Sequence, residues 1–418
     1  MPGPFRLLLT LLIALLIDWY FFQSLKTVMK KSSAKAKKIV FTLYWSLTVY
    51  AAILTIISMM VPMHLWPDFP RVYGFGMIMV PLLCKLLGCI FLLMDDLIRL
   101  GRIAWKKVAV SKHDTNAKGE KITRTQFLSR TALAVAAIPF ATLMYGMMGT
   151  AFDFKVRRVK LHLPKLPAGF EGMKIVQISD IHCGSFVSDE PFFKAIQMIN
   201  ELKPDVIFFT GDLVNNQSEE AEKFNHVWRS IKAPMGVFST LGNHDYGDYI
   251  QWESQEAKQA NFKQIIDLHR RAGWDLLMNE HRVLEKNGDK IAVIGVENWG
   301  SKMRFPKYGD IEKAGAGTED YAVKILLSHD PSHWDAQVRK ARPDIDLTLS
   351  GHTHGMQFGI EIPGFKWSPS KYIYKQWAGL YEEGNQKLYV NRGLGFLGYP
   401  GRVGIFPEIT LIELSKEA

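Results

Sequence analysis

Cysteine is scarce in this chain. Three residues in 418, Cys84, Cys89 and Cys183, make no pair spaced for a disulfide framework and no CxxC zinc site. Internal repeats and low-complexity segments are absent too, which excludes stacked-repeat architectures. Positive charge is missing where a nucleic-acid reader would need it. Residues 151–418 hold 33 Lys/Arg against 35 Asp/Glu, whereas residues 1–150 hold 18 against 6. The overall charge of +10 therefore belongs to the first region alone, and the rest has no basic footprint. The first apolar run has neither a basic start nor a clear small-residue cleavage site, so it is not read as a removed signal peptide.

The region before residue 151 is rich in long apolar runs. They cover roughly Phe5–Phe22, Ile39–Val61, Phe75–Met94 and Ala132–Thr150. Each approaches the roughly 20 residues that a helix needs to cross a bilayer. Buried core helices are the competing reading, and four successive runs with basic linkers argue against it. The first linker carries Lys26, Lys30, Lys31, Lys35, Lys37 and Lys38. The third carries Arg99, Arg102, Lys106, Lys107, Lys112, Lys118, Lys121, Arg124 and Arg130, while the second has only Arg71 beside Asp68. Basic loops stay in the cytoplasm. The expectation is a four-span region over residues 1–150 and an extracytoplasmic domain over residues 151–418. The stretch Thr123–Leu128 loosely resembles a twin-arginine export signal with one arginine missing, which agrees with export. Lys85, inside the third run, is costly in lipid and calls for pairing or snorkelling. Asp18 is not expected to be its partner.

Beyond residue 150 the pattern alternates strand and helix. Phe152–Leu163 reads as a strand, and Pro191–Lys203, Glu219–Ile231 and Gln255–Ala272 have helical spacing. Arg282–Gly295 reads as a strand pair turned at Asn287-Gly288. Late strands are expected at Lys387–Asn391 and Glu408–Leu414, with an irregular aromatic stretch over Gly355–Tyr381 between the motifs and these strands. Alternation of this kind implies a layered α/β domain.

Five polar motifs follow one another in this region: Asp180-Ile-His182, Gly211-Asp212, Gly242-Asn243-His244-Asp245, Ser328-His329-Asp330 and Gly351-His352-Thr353-His354. Each follows a strand-like apolar stretch: MKIVQIS, DVIFFT, GVFSTL, VKILLS and IDLTLS. Open α/β sheets place their ligands at such strand ends. A core strand gains nothing by ending on a carboxylate or an imidazole. Hard divalent ions prefer carboxylate oxygens and borderline ions also accept imidazole, so a set of Asp, His and Asn suits divalent ions, and the motifs in this order read together as a two-metal, phosphoester-cleaving site.

These motifs resemble the calcineurin-like metallophosphoesterases. The phrases ISDIHCG, TGDLV, LGNHDYG, LSGHTHGMQ and NRGLG, with the closing PEITLIEL, are similar to the bacterial membrane-anchored members of that superfamily. The resemblance covers roughly residues 154–415. It implies a four-layer α-β-β-α domain behind the α-helical transmembrane region, in a bacterial plasma membrane. It also implies a hydrolase using two divalent ions, manganese, iron, zinc or similar, that lower the pKa of an attacking water. Asp180, His182 and His354 would hold the first ion, Asn243, His329 and His352 the second, and Asp212 would bridge. His244 would protonate the leaving oxygen, and Asp245 is the candidate to orient it. The implied substrate is a phosphomonoester, phosphodiester or pyrophosphate, lipid-linked in the manner of UDP-2,3-diacylglucosamine, with the membrane as partner and no nucleic acid. The alternative is a catalytically idle membrane sensor or scaffold on the same fold.

Two positions depart from the family pattern. Asn215 stands where many relatives have a second Asp, and Met356 where the nearest subgroup has glycine. His64, His113, His162, His226, His269, His281 and His333 belong to no ligand motif and read as surface or satisfied core residues. Cys183 reads as a small filler in a tight turn. Arg392 and Arg402 flank a glycine-rich loop and suit either phosphate recognition or a solvated loop. Trp367, Tyr372, Tyr374 and Trp377 form either a lip at lipid or substrate, or ordinary packing.

Overall fold

The computed structural model describes residues 3–61, 65–108, 123–302, 305 and 307–417, without the side chains of 3–8 and 106–108. His64, His113 and the loop residues Lys112, Lys118 and Lys121 lie outside that description. The chain divides into two compact units, Met1–Tyr145 and Gly146–Ala418.

The first unit consists of α1 (Gly3–Val28), α2 (Ala34–Met60), α3 (Asp68–Val108) and most of α4 (Arg124–Met148). These helices contain the apolar runs, and among the described residues four stretches are long and apolar enough to cross a membrane: Leu9–Lys31, Ala34–Met60, Asp68–Trp105 and Arg124–Phe152. Leu12, Leu16, Trp19, Leu43, Phe75 and Leu97 are exposed, the surface that a lipid solvent requires and water penalises. One expectation is corrected here. Asp18 is the partner of Lys85, with Nζ and Oδ1 2.6 Å apart and both residues buried. Thr48 donates to the same carboxylate, Tyr44 donates to the Asp18 carbonyl at 2.8 Å, and the ammonium lies 4.5 Å from the Tyr44 ring centre. Helix α1 runs on to Val28, so Asp18 sits about 15 Å inside its end and not near the span's edge. Satisfying both charges within the bundle removes the cost that either would carry alone.

Among the described residues, the second unit has two six-stranded sheets. Sheet one runs β1 (Lys155–His162), β14 (Glu408–Ser415), β2 (Lys174–Ile178), β3 (Val206–Thr210), β4 (Val237–Thr240) and β5 (Asp275–Leu276). Sheet two runs β12 (Gly379–Glu383), β13 (Gln386–Val390), β9 (Leu347–Ser350), β8 (Lys324–Leu327), β7 (Asp289–Gly295) and β6 (Glu280–Lys286). A separate ribbon pairs β10 (Ile360–Ile362) with β11 (Phe365–Trp367). Within the sheets, β2, β3 and β4 are parallel, as are β7, β8, β9 and β13.

Alternation along the strands builds the layers. Ile175, Val206 and Phe208 from sheet one meet Ile291, Val293, Ile325, Leu327, Leu347 and Leu349 from sheet two in one buried cluster. Burying each such side chain contributes about 1.5–3 kcal/mol. The opposite residues face helices. Phe209 meets His269 of α8 (Gln255–Ala272), and Phe192 of α5 (Glu190–Glu201) packs on Trp228 of α7 (Asn225–Trp228). Beyond sheet two, Ile294, Leu326, Leu388 and Val390 pack with Ile311, Trp334 and Val338 from short helical segments. The order is helix, sheet, sheet, helix.

Local signals place several elements. The Ser254 hydroxyl accepts from Ala257 N at 3.1 Å, and Gly273 closes α8 in the left-handed region (φ 79°). Asn287 and Gly288 both have positive φ, 55° and 85°, as a tight primed hairpin turn requires. The single helix expected over Glu219–Ile231 is instead α6 (Glu219–Glu222) and α7, because Phe224 leaves helical geometry to pack on Phe192. The stretch Gly355–Tyr381, expected to be irregular, contains the β10–β11 ribbon and the start of β12.

Candidate metal centre

Five strand ends converge. The turn after β2 carries Asp180 and His182, and the turns after β3 and β4 carry Asp212 and Asn243-His244. Those after β8 and β9 carry His329 and His352/His354. Asp180, His182, Asp212, His352 and His354 all adopt positive φ, between 48° and 69°. That region is costly for residues with a Cβ, and backbone strain of this kind gathers at functional sites. Glycine is required beside them. A Cβ on Gly242 would stand 2.6 Å from the Asp212 carboxyl carbon, and one on Gly351 would strike the Asp180 carboxylate.

Two clusters result. Asp180, His182 and His354 point ligand atoms at one place, as do Asp212, His329 and His352, with the atoms of each set within 4.8 Å of one another. In the first, His354 Nε2 lies 3.1 Å from Asp180 Oδ1 and 3.1 Å from His182 Nε2. In the second, His352 Nδ1 lies 3.3 Å from His329 Nε2 and 2.7 Å from Asn243 Oδ1. One oxygen, Asp212 Oδ2, faces both, 3.6 Å from His182 Nε2 and 3.1 Å from His329 Nε2.

The donor chemistry fits divalent cations. Converging imidazole nitrogens and carboxylate oxygens, nearly all buried, form the mixed N/O set that borderline ions accept. The surroundings aim the ligands. His329 Nδ1 is 2.7 Å from the Thr210 carbonyl, which leaves Nε2 turned to the cluster. The His352 amide donates to Asp180 at 2.9 Å, and the His244 amide to Asp212 Oδ1 at 2.9 Å. Burial opposes charge on both carboxylates, yet the facing imidazoles of His354 and His329 hold Asp180 and Asp212 below the usual range. Burial likewise opposes charge on His329, but Asp212 and Asp180 outweigh it and raise that residue to about 10. His182, where burial prevails, is pushed down to about 3. A neutral imidazole is the form that can bind a metal.

The expected role of Asp245 is corrected. Its carboxylate accepts from the amides of Asp212 (2.9 Å), Leu213 (2.8 Å), Val214 (3.3 Å) and Gly242 (2.8 Å). It locks together the two turns that carry Asp212 and Asn243. Burial and the Asp212 charge push Asp245 up to about 7, against the pull of those amides. The ring of His244 is held by the Asn215 carbonyl, 2.7 Å from Nδ1. The position that departs from the family pattern thus acts through its backbone.

Three further neighbours have no role at the metals in the sequence reading. Tyr374 OH lies 2.8 Å from His352 Nε2, and Tyr249 OH accepts from Asn243 Nδ2 at 2.9 Å. Asp330 Oδ2 is buried 3.5 Å from His352 Nε2. Asp330 stood inside a motif and Tyr374 inside the aromatic stretch, but Tyr249 carried no pattern. Neither loop arginine is solvated. Arg392 pairs with Glu408 at 2.5 Å and Glu361 at 2.7 Å. Arg402, fully buried, donates to the Arg392 carbonyl at 2.8 Å and reaches 3.2 Å from His354 Nδ1. Burial lowers Arg402 to about 9.

Similarity to known proteins follows the same division. Residues 5–151 match the family model "Probable Calcineurin-like phosphoesterase, transmembrane domain", and residues 173–356 match "Calcineurin-like phosphoesterase". The "Uncharacterized metallophosphoesterase YkuE" of Bacillus subtilis is 33% identical over 71% of this chain and 99% of its own length. A "Transmembrane protein with metallophosphoesterase domain" of Danio rerio is 33% identical over 68% of this chain, which spans 62% of that protein. The "UDP-2,3-diacylglucosamine pyrophosphatase LpxG" of Chlamydia trachomatis is 29% identical over 64% of this chain and 92% of its own. The chain belongs to the calcineurin-like metallophosphoesterase family, and its four-helix region makes it a membrane-anchored member.

Proposed function

We propose that residues 1–150 form a four-span anchor and that residues 151–418 form a phosphoesterase domain with two divalent ions, manganese, iron, zinc or similar. The observation that carries this is Asp212 Oδ2, which faces both ligand clusters at 3.6 and 3.1 Å. Asp180, His182 and His354 would hold one ion, Asn243, His329 and His352 the other, and Asp212 both. When bound, such a pair lowers the pKa of a shared water and clamps an in-line displacement. His244 keeps one proton at Nδ1 on the Asn215 carbonyl, so Nε2 is the atom that can deliver a second proton to a leaving oxygen. Asp245 serves by fixing the turns.

The substrate we infer is a phosphoester or pyrophosphate attached to lipid. Four helices long and apolar enough to cross a membrane support a bilayer-bound domain, and a relative of 29% identity bears the name UDP-2,3-diacylglucosamine pyrophosphatase. We infer that the site lies on the extracytoplasmic side of a bacterial plasma membrane; the basic linkers, as cytoplasmic loops, support this reading. The test has two arms. A reporter active only after export, fused at residue 418, should be active; activity of a cytoplasmic reporter instead would reverse the orientation. Full-length, metal-loaded protein in vesicles should hydrolyse UDP-2,3-diacylglucosamine or another lipid-linked phosphoester faster than a soluble aryl phosphoester. Equal rates would remove the lipid preference. Absence of turnover on every ester with both ions bound would favour the idle sensor or scaffold.

A further inference from the structure

The β10–β11 ribbon wears its pattern inside out. Cross-strand partners share a face. Ile360 pairs with Trp367 and Ile362 with Phe365, so one face is wholly apolar; Glu361 and Lys366 form the other. Ordinarily the apolar face of a strand is covered. Here the polar face is the one tied down. Glu361 accepts from Arg392 at 2.7 Å and from Arg157 at 2.6 Å. Lys366 donates to the Ala378 carbonyl and stands over the Tyr381 ring at 4.9 Å. The apolar face is left open, with Ile360 50%, Ile362 59% and Phe365 53% exposed. Phe358, Tyr372 and Ile373 extend the exposed surface beside it.

What covers this face follows from its attachment. Phe358, at the foot of the ribbon, bridges to Val403. Val403 N donates to the Gln357 carbonyl at 2.7 Å, and Gly359 N to the Val403 carbonyl at 2.9 Å. The same segment grips the end of the fourth apolar stretch. Arg402 N donates to the Gly146 carbonyl at 3.1 Å, and Thr150 donates to the Arg402 carbonyl. A Cβ on Gly401 would stand 2.8 Å from Met147 N, so the two backbones are in direct contact. Residues 146–150 belong to the stretch Arg124–Phe152, which is apolar and long enough to cross a membrane. A single short segment, 399–404, therefore joins the exit of a span to the foot of the apolar ribbon.

We propose that the open face of the β10–β11 ribbon, led by Ile362 and Phe365, inserts into the interfacial layer of the bilayer that holds the anchor. Apolar and aromatic side chains beside a polar backbone favour that layer. The chain ties the ribbon to the metal centre at both ends, since Met356 and Gln357 lead back to His354 and residues 368–373 lead on to the Tyr374 that touches His352. Insertion brings the catalytic mouth down to headgroup level. The proposal rests on the anchor and the ribbon and is independent of the chemistry at the metals.

The test uses full-length protein in phosphatidylcholine/phosphatidylglycerol vesicles. Ile362→Cys and Phe365→Cys are labelled singly with an environment-sensitive fluorophore, with Glu285→Cys, exposed on β6, as the aqueous reference. The native cysteines are buried, and labelled wild type supplies the background. Lipid-borne nitroxide should quench the ribbon probes more than aqueous iodide does, and Glu285→Cys should show the reverse order. Ribbon probes that behave like Glu285→Cys would overturn insertion. Probes shielded from both quenchers would overturn it too, because a second copy of the chain or a protein partner would then cover the face. Bound metal and turnover of a soluble aryl phosphoester at parent levels certify each labelled protein, and Ile360→Cys is the independent position should either variant misfold.

Discussion

The two sheets of the catalytic unit contribute different chemistry. Sheet one ends on Asp180, His182, Asp212, Asn243 and His244; sheet two ends on His329, His352 and His354. Every oxygen donor of the proposed ligand set comes from the first, and the second brings only imidazoles. Yet each cluster draws on both, because His354 joins Asp180 and His182 while Asp212 joins His329 and His352. Neither sheet holds a complete cluster. Their registration is fixed by buried bonds across the interface, among them Gln177 Nε2 to the Ser350 carbonyl at 2.9 Å and His329 Nδ1 to the Thr210 carbonyl at 2.7 Å. The candidate centre is thus a reading of how the sheets dock.

The largest effect should come from removing the oxygen that faces both clusters. Asp212→Ala is expected to lower bound metal below about two ions per chain and to abolish hydrolysis. Elemental analysis with turnover checks both, and a fully active variant would refute the shared-ligand assignment. Next is His244→Ala, which belongs to sheet one but to neither cluster. It should keep its metal and lose about 10²–10⁴-fold in rate, most on esters with poor leaving groups; collapse of metal content would make it a ligand. Tyr374→Phe removes the hydroxyl behind His352 of sheet two. Outer-shell losses of this kind run to about 10–100-fold in metal affinity or activity, so a metal titration should shift by that factor.

The smallest effect concerns the packing behind sheet one. Burial pushes His269 down to about 3, and its Nδ1 lies 2.9 Å from Ser239 Oγ. The unfolded chain takes up this proton near pH ~6.5. The stabilisation from keeping it neutral is therefore complete above that pH. It falls by up to about 1.4 kcal/mol per pH unit below it. Denaturant midpoints at pH 7 and pH 5 should separate more for the wild type than for His269→Gln. An equal separation would remove the burial argument.

Much is legible in the sequence itself. The apolar runs, the five motifs and the Asn287-Gly288 turn are local signals, set by bilayer thickness, strand-end chemistry and turn geometry. Gln255–Ala272 carries a serine before it and a glycine after it, and the helix has those bounds. What failed to show had no local signature. Glu219–Ile231 has helical spacing throughout, and a tertiary contact of Phe224 breaks it. The carbonyl of Asn215 holds His244 whatever its side chain, so no residue-type pattern could mark it. Asp245 sits beside His244 in sequence, but its amide partners come from two turns 30 residues apart, at Gly242 and at Asp212.

Composition and spacing alone determined that an apolar region of span length precedes an α/β domain and which residue types could bind metal, because these depend on residue identity and period, and the motifs' resemblance to a known family added phosphoester cleavage. Only the tertiary structure decided that Asp18 reaches Lys85, that Arg392 and Arg402 are buried, and that the Ile360–Trp367 ribbon turns its apolar face outward. Each depends on which side of an element meets another. A strand's alternation defines two faces but not which one is covered, and for this ribbon the ion pairs of Glu361 made the choice.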